Sequence, residues 1–286
     1  MTSTSENYST KDTALSGKNP PCTSQTEALR RVRAIITHHH FSPYKVLVAR
    51  QQRTVVILNP KVGTTSFRYL ITRAYQEVLG HRDPSDNHYK PIKKARQFPF
   101  APLRDYYHAF SHSEEYDFYC FVRNPYARLK SAWVDKFAFG HETGYPRSIR
   151  GKLIRGLRHF ARSHNLPGGE RNSPMPFSTF VNYIDAQETG KRNHHWDAQH
   201  AVLMMDRLYY AQIFKMETQF TQGMTTIFTR LGIAEDWINE AMEKPQNESR
   251  KISDSIFTPE LAEQARRIYA RDFELFDYDV DSWKGK

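Results

Sequence analysis

An anion-binding loop is suggested by residues 57–71, which read ILNPKVGTTSFRYLI. Branched apolar residues lead into this segment and predict a short buried strand. Lys61, Gly63 and the hydroxyl residues at 64–66 follow, and apolar residues at helical spacing begin at once. A turn between a strand and a helix presents backbone N–H groups and the positive end of the helix dipole. Together these features predict a loop that holds a phosphate group.

Each residue type in this loop contributes to anion binding in its own way. A glycine lets the backbone approach closely, hydroxyl groups donate hydrogen bonds, and a lysine adds a charged donor. The GxxxxGK[ST] pattern of nucleoside triphosphatases does not fit, because the lysine precedes the glycine and no Ser or Thr follows it to hold magnesium. An ordinary capped turn stays open as the alternative for this segment alone. The candidate binding residues are Lys61, Val62, Gly63, Thr64, Thr65 and Ser66.

A second segment, FVRNPYARLKSAW at residues 121–133, repeats the order of strand, charged turn and helix. Arg123 stands at the end of the strand, Asn124 is suited to cap the helix, and Pro125 suits its first turn. Ser131 lies two helical turns further on. Ligands of open α/β sheets bind where parallel strands end, so the two segments are expected to place two anion sites at one edge.

The elements around these segments alternate between strand and helix patterns. β-Branched runs at 45–49 and 54–58 indicate a hairpin or two neighbouring strands, and the apolar run at 116–122 indicates a buried strand. This alternation predicts an α/β fold with a mostly parallel central sheet flanked by helices, built as a single domain. Further patterns predict helices from Thr65, after Asn124, at 177–184 and from Thr258, a short strand within 209–217 and a loop at 194–199.

Length and composition agree with one domain. The 286 residues include 13% aromatic side chains, which is enough for a substantial core. Residues 1–25 are rich in Ser, Thr, Asn and Lys and predict a disordered tail, so the domain is expected to span 26–286. The prolines and charges of residues 81–105 predict a long irregular segment. Residues 151–176 contain a basic amphipathic piece, expected to pack on the protein, with membrane-surface binding as the alternative.

The charge and the cysteine content limit the classes of partner. A formal net charge of +10 favours an anionic ligand. The basic residues are spread along the chain without a DNA- or RNA-binding motif, so no nucleic-acid partner is predicted. Cys22 and Cys120 imply no disulfide framework. No window approaches the roughly 18 apolar residues of a membrane span, and no apolar signal region is seen. The sequence therefore predicts a cytoplasmic protein without an integral membrane anchor.

The two candidate loops resemble those of a known enzyme family. PKVGTTS is similar to the 5′-phosphosulfate-binding loop of sulfotransferases that use 3′-phosphoadenosine 5′-phosphosulfate (PAPS). VRNPYARLKSAW is similar to their 3′-phosphate-binding motif. The resemblance covers roughly residues 42–280 and looks most like the carbohydrate sulfotransferase branch, sulfotransferase family 2. It continues in FSTFVNYI, HHW and YYAQIFKMET.

The resemblance implies the P-loop-like sulfotransferase fold, PAPS as co-substrate and 3′,5′-ADP (PAP) as product, without a metal. It assigns the 5′-phosphosulfate to residues 61–66 and the 3′-phosphate to Arg123 and Ser131. Lys61 is then expected to stabilise the leaving phosphate while the sulfuryl group moves in line to an acceptor oxygen or nitrogen. Arg128, which the motif also carries, has a structural alternative, namely pairing with a carboxylate on the helix flank.

A hydroxyl acceptor needs a general base, and histidine suits this role near neutral pH. His195, beside Trp196 in the HHW stretch, is the leading candidate, and an orienting or packing role is its alternative. No metal is predicted, because His194, His195 and His200 lack the usual i,i+4 spacing of paired ligands. The other candidate bases are His88, His108, His112 and Glu217, while Arg250 and Lys251 are expected to be solvated surface residues rather than nucleotide ligands.

The acceptor is expected to be a carbohydrate or a small molecule. The carbohydrate branch in animals is usually Golgi-anchored by an N-terminal membrane span and has lumenal cysteine pairs, and this sequence shows neither pattern. A cytosolic enzyme for a small metabolite, a lipid-linked sugar or a natural product therefore fits better. Two other functions stay open: a P-loop-like kinase or phosphotransferase that needs magnesium and ATP, and a non-catalytic polyanion or nucleic-acid binder with steep salt dependence. No oligomeric state is predicted.

Overall fold

The computed structural model describes residues 17–77, 101, 103–138, 147–171, 173–243 and 256–284. Several sequence-based expectations fall outside these ranges, namely most of the predicted tail, most of the segment at 81–105, and His88, Arg250 and Lys251. Within the described ranges, no helix combines the length and the apolar content needed to cross a membrane.

A four-stranded sheet in the order β1-β2-β3-β4 lies at the centre of the fold. Val46–Ala49 (β1) and Thr54–Ile57 (β2) form an antiparallel hairpin, and Asp117–Val122 (β3) lies parallel to β2. Gln212–Lys215 (β4) lies parallel to β3 at the edge of the sheet. The predicted hairpin and the mostly parallel sheet are confirmed. Because β2, β3 and β4 run in one direction, the loops after them leave the sheet at the same edge.

Helices flank the sheet, and two of them begin at caps that hydrogen bond through a side chain. The Asn124 side chain accepts hydrogen bonds from the backbone N–H groups of Tyr126 and Ala127, and the Thr258 hydroxyl accepts one from Leu261. Both caps confirm the sequence-based prediction. The helices are Gln25–Ile36 (α1), Thr64–Glu77 (α2), Leu103–Ser111 (α3), Pro125–Trp133 (α4), Arg147–Ser163 (α5), Phe177–Asp185 (α6), Gln199–Val202 (α7), Met216–Arg230 (α8), Glu235–Glu243 (α9), Pro259–Ile268 (α10) and Ala270–Leu275 (α11).

Alternation along the strands builds an apolar core on each face of the sheet. Val56 and Tyr119 belong to a cluster with α2, α8 and α9, whereas Val55 and Phe118 belong to a cluster with α1 and α3. The strands β1, β2 and β3 are buried along their whole length, as expected for strands covered on both faces. A third apolar cluster joins α4, α5, α6 and α10.

The structure corrects the sequence analysis at three helices. α3 begins inside the segment at 81–105 that the sequence predicts to be irregular, because Tyr106, Ala109 and Phe110 form a buried stripe at helical spacing. α8 follows β4 directly, where the sequence analysis names no helix. α5 is longer than the predicted amphipathic piece, and its apolar face packs against α6, which agrees with the expectation that this segment packs on the protein.

Residues 17–24, which precede α1, contact the rest of the protein. Lys18 pairs with Asp117 at the start of β3, and Asn19 exchanges two hydrogen bonds with the backbone of Tyr209. Ser24 caps α1 through the backbone N–H of Glu27. The division into a tail at 1–25 and a domain at 26–286 stays a prediction.

Substitution by alanine should have opposite effects on stability at two glycines that lie within helices. At Gly223 in α8, an added Cβ would lie 2.6 Å from the ring of Phe121 and 2.7 Å from that of Phe214. Both rings are buried, so Gly223→Ala should lower the free energy of unfolding by about 1–3 kcal/mol through overpacking. At Gly156 in α5, the nearest atom is the Tyr183 hydroxyl at 3.4 Å. Gly156→Ala should therefore stabilise the protein by about 0.5–1 kcal/mol through helix propensity.

Urea unfolding of the wild type and of the two variants measures these changes in the free energy of unfolding. A Gly223→Ala protein as stable as the wild type would contradict the close packing of α8 on the sheet.

Candidate functional site

The loop between β2 and α2 has a backbone form suited to an anion. Lys61 and Gly63 both adopt positive φ, at 72° and 77°. A Cβ built on Gly63 would lie 2.7 Å from the ring of Phe220, so a side chain is excluded there by conformation and by space. The Thr64 hydroxyl donates to the carbonyl oxygen of Asn59 at 2.6 Å and closes the loop at the start of α2.

The other loop residues divide between the core and the helix start. Val62 is buried and anchors the loop in the apolar cluster beneath it. Thr65 is exposed and Ser66 is half-buried in the first turn of α2. The backbone N–H groups of a first helical turn have no partners within the helix, so this turn presents donors at the position that the sequence predicts.

Arg123 lies at the end of β3, next to this loop. Its guanidinium donates to the carbonyl oxygen of Lys61 at 3.1 Å, so the two predicted phosphate sites adjoin at one edge of the sheet. Burial lowers the pKa of Arg123 and the charge of Glu217 opposes this, and a guanidinium remains charged. Glu217 accepts the backbone N–H of Asn124 at 2.8 Å and the hydroxyl of Tyr278 at 3.0 Å. This carboxylate therefore supports the turn after β3.

The Lys61 ammonium pairs with Asp135 at 3.1 Å. The same carboxylate oxygen lies 2.9 Å from Nζ of Lys136, whose side chain is 1% exposed. Burial lowers the pKa of Lys61, and Asp135 opposes this shift. Burial works against ionisation of Asp135 too, yet the two lysines hold its pKa below the usual range. One carboxylate thus faces two ammonium groups, which leaves net positive charge beside the loop.

Arg128 connects two loops from a buried position, with 2% of its surface exposed. Nε donates to the carbonyl oxygen of Pro60 at 3.1 Å, and the two terminal nitrogens donate to those of Asp197 at 2.6 Å and His194 at 3.0 Å. The structural alternative therefore holds for Arg128, but its partners are carbonyl groups and not the predicted carboxylate. Ser131 is half-buried three residues later, on the same face of α4 as Arg128.

His195 lies in the turn that Arg128 holds. Its Nδ1 is 2.7 Å from Oδ1 of Asn193, and donation of the Nδ1 proton to this oxygen leaves the ring lone pair on Nε2. Burial and then the positive charge of Lys136 hold the pKa of His195 well below its usual range, and Lys61 adds to this effect. The ring is therefore neutral at pH 7 and within electrostatic reach of Lys61.

The comparisons with known proteins agree with this geometry. The model of the Sulfotransferase family matches residues 44–279. The chain belongs to the sulfotransferase family. Carbohydrate sulfotransferase 11 of Rattus norvegicus and that of Mus musculus are each 23% identical to it over 265 residues, which cover 90% of this chain and 72% of each relative. No solved structure matches the chain at a significant level.

Family membership confirms the resemblance inferred from the two motifs. It supports a transferase that moves sulfuryl groups, with the single α/β domain described above. The roles assigned to individual site residues stay predictions.

The sulfotransferase fold separates the candidate bases in space. His108 in α3 stacks with His112, just after α3, with ring centroids 4.6 Å apart, and Nδ1 of His108 lies 2.9 Å from the hydroxyl of Tyr116. Because Tyr116 directly precedes β3, these histidines lie near the start of the parallel strands. A four-residue strand spans about 13 Å, so they are separated from the loop that follows β2, whereas His195 lies close to it.

His194 and His200 have other surroundings. The ring of His194 lies 4.2 Å from that of His195 between centroids, and Nδ1 of His200 lies 2.7 Å from Oδ1 of Asp272 in α11. Among the residues that the structure describes, no group of three or more His, Cys, Asp or Glu side chains is arranged to hold a metal ion.

Sequence reasoning missed Asp135 and Lys136. Both lie in Val134–Ala138, a π-helical turn that continues α4, and such turns are frequent at functional sites. Asp135 follows Ser131 by four residues. Helical spacing from a predicted ligand was therefore the signal that could have found it. Nothing comparable in the sequence marks Lys136 as buried.

The turn at residues 193–197, called the histidine turn below, should make the stability of this sulfotransferase sensitive to acid. Burial and the nearby Lys45 lower the pKa of His194 to about 3, whereas an unfolded histidine has a pKa of about 6.5. Between these values the unfolded chain binds more protons, so the free energy of unfolding should fall as the pH falls, by up to about 1.4 kcal/mol per pH unit for this residue. His194→Gln should lose less stability between pH 7 and pH 5 than the wild type.

Urea unfolding at the two pH values measures this difference. His164→Gln, at an exposed position just after α5, is the matched control and should follow the wild type. A His194→Gln protein with unchanged acid sensitivity would contradict the buried, neutral imidazole.

Proposed function

We propose that this sulfotransferase moves the sulfuryl group of PAPS to a hydroxyl or amine group of a carbohydrate or small-molecule acceptor. The observation that carries the proposal is the contact between the Arg123 guanidinium and the Lys61 carbonyl oxygen at 3.1 Å. It brings a cation suited to a 3′-phosphate next to a loop suited to a 5′-phosphosulfate. PAPS carries these two anionic groups on one nucleotide.

The charge around the loop supports an anionic donor. Lys61, Lys136 and Arg123 contribute three positive charges, and Asp135 is the carboxylate paired with the two lysines. Gly63 keeps the loop free of a side chain where its backbone bends. An anion bound here would offset the repulsion between partly buried cations, so donor binding and loop geometry favour each other.

Lys61 is the residue that we assign to leaving-group stabilisation. During transfer, the bond between sulfur and the phosphate oxygen of PAPS breaks and a bond from sulfur to the acceptor atom forms. Negative charge grows on the phosphate oxygen, and a fixed ammonium beside the loop stabilises it most at that moment. Asp135 holds the Lys61 ammonium in place before the donor binds.

His195 is the residue that we assign to proton removal from the acceptor. Its imidazole is neutral at pH 7, and its Nε2 carries the lone pair when Nδ1 donates to Asn193. Its pKa is low partly because Lys136 and Lys61 are near. Negative charge bound beside these lysines raises the pKa of His195 and makes it a stronger base once the donor is in place.

The relatives support a proposal for the class of acceptor. Both relatives are named carbohydrate sulfotransferases, which favours a carbohydrate hydroxyl as the acceptor of this chain. Family membership favours sulfuryl transfer over the kinase and the polyanion-binding alternatives. A cytoplasmic location and a reaction without a metal are parts of the proposal that the sequence alone suggests.

The nucleotide requirement gives the first test of this function. PAP should raise the Tm of the metal-free protein, and ATP should raise it much less, because ATP lacks the 3′-phosphate that Arg123 and Ser131 are expected to bind. A ligand at 100 times its Kd adds about 2.7 kcal/mol of stability. Thermal shift measures this with PAP and ATP in EDTA, and with ATP–magnesium in a separate sample without EDTA. Equal shifts from PAP and ATP would contradict the proposal.

Transfer itself is measured with PAPS that carries radiolabelled sulfate. Panels of neutral sugars, oligosaccharides, phenols, lipids and amines identify the acceptor by label that moves from the nucleotide to a new product. Absence of PAP binding together with absence of transfer to every panel would overturn the proposed function.

Two substitutions should separate leaving-group stabilisation from proton removal. Lys61→Ala should lower kcat by about 10²–10³, the scale for removal of one fixed transition-state donor, with a smaller loss of PAP affinity. His195→Ala should lower kcat and leave PAP affinity near wild type, because a base contacts the acceptor and not the nucleotide. His108→Ala is the matched control and should keep wild-type kcat. Normal turnover of His195→Ala would place the base elsewhere.

A further inference from the structure

Gln199 is a fully buried amide at the start of α7. Its Oε1 accepts from the backbone N–H of Arg123 at 2.9 Å and from Nδ2 of Asn59 at 2.8 Å. Its Nε2 donates to the carbonyl oxygen of Arg123 at 2.7 Å. The Gln199 side chain thus binds both backbone polar groups of Arg123. It also contacts Asn59, which lies at the start of the loop between β2 and α2.

This pattern of contacts requires an amide. Asn and Gln carry an acceptor and a donor on one planar group, so they can pair with the N–H and the C=O of a single residue as a neighbouring strand would. The pairing of β3 with β4 ends at Val122, one residue before Arg123. Gln199 therefore continues the hydrogen bonding of the sheet to the residue that carries the candidate 3′-phosphate ligand.

Gln199 is itself fixed by a second buried group. Its backbone N–H donates to Oδ2 of Asp272 at 2.6 Å, and the backbone N–H of His200 donates to Oδ1 at 3.0 Å. Asp272 is fully buried in α11. These buried hydrogen bonds fix both the side chain and the backbone of Gln199, so the backbone of Arg123 is held against the interior of the protein.

We propose that Gln199 is a positioning residue that sets selectivity for a 3′-phosphate by fixing the backbone of Arg123. The inference rests on the proposed function, because it assumes a donor with a 3′-phosphate. The direction of the guanidinium depends on the backbone that carries it, and charge-assisted bonds to phosphate depend on geometry. PAP and 5′-AMP differ only in the 3′-phosphate, so the ratio of their affinities isolates this contact.

The test is a double-mutant cycle measured by calorimetric titration with PAP and 5′-AMP. Arg123→Ala should lower the preference for PAP over 5′-AMP by about 10–150-fold, the scale of one charge-assisted contact. Gln199→Met, of similar volume, should lower it by about 5–20-fold as a partial loss of that contact, with 5′-AMP affinity almost unchanged. In the Arg123→Ala background, Gln199→Met should cause no further fall, because its effect passes through Arg123.

A control and a second variant distinguish a change in nucleotide preference from a general loss of stability. Tyr210→Phe removes a buried hydrogen bond to the Leu203 carbonyl oxygen at 2.6 Å, outside the site, and should leave the nucleotide preference unchanged. If Gln199→Met does not fold, Asn59→Ala removes the donor that faces Oε1 and should shift the preference in the same direction.

The outcomes distinguish this inference from the proposed function. A wild-type preference in Gln199→Met, or an equal fall in the presence and absence of Arg123, would overturn the positioning role. A wild-type protein that does not bind PAP would instead contradict the proposed function itself.

Discussion

The buried guanidinium of Arg128 is the interaction on which the site depends. Burial of a charged group costs free energy unless several hydrogen bonds satisfy it. Here three carbonyl groups, from Pro60, Asp197 and His194, meet that need. Because the guanidinium is planar and its donors are fixed in direction, these carbonyl groups are fixed relative to one another. The loop between β2 and α2 and the histidine turn are therefore held at a set separation by a residue of α4.

Positive charge around this framework is arranged before any ligand arrives. Lys61 and Lys136 share Asp135, and His195 is kept neutral beside them. Such fixed charges need no reorganisation when charge develops in a reaction, and this is where electrostatic catalysis gains most. The cost is repulsion among partly buried cations, which the folded protein offsets through the hydrogen bonds of the surrounding loops. The arrangement therefore places the positive charges of Lys61 and Lys136 close together, with one carboxylate between them.

The sequence predicted what is decided locally and missed what depends on distant segments. The turn between β2 and α2, the Asn124 cap and the hairpin follow from residue types within a few positions. The carbonyl partners of Arg128 and the contacts of Gln199 join residues far apart in the chain, and no local pattern reveals them. His108 was a reasonable candidate by its place between the two motifs, but the direction of the parallel strands puts it towards the opposite end of the sheet.

The parallel pairing of the strands also has a consequence for folding. Thr54 pairs with Asp117 and Tyr119 pairs with Gln212, so each parallel contact closes a long stretch of chain. Contacts of high sequence separation slow folding, because loop entropy is lost before the pairing is formed. During synthesis the hairpin can form early, whereas β3 waits for β4 to leave the ribosome before it is covered on both edges. The edge that carries the two candidate loops is thus completed late, and partly made chains expose the edge of β3 to aggregation.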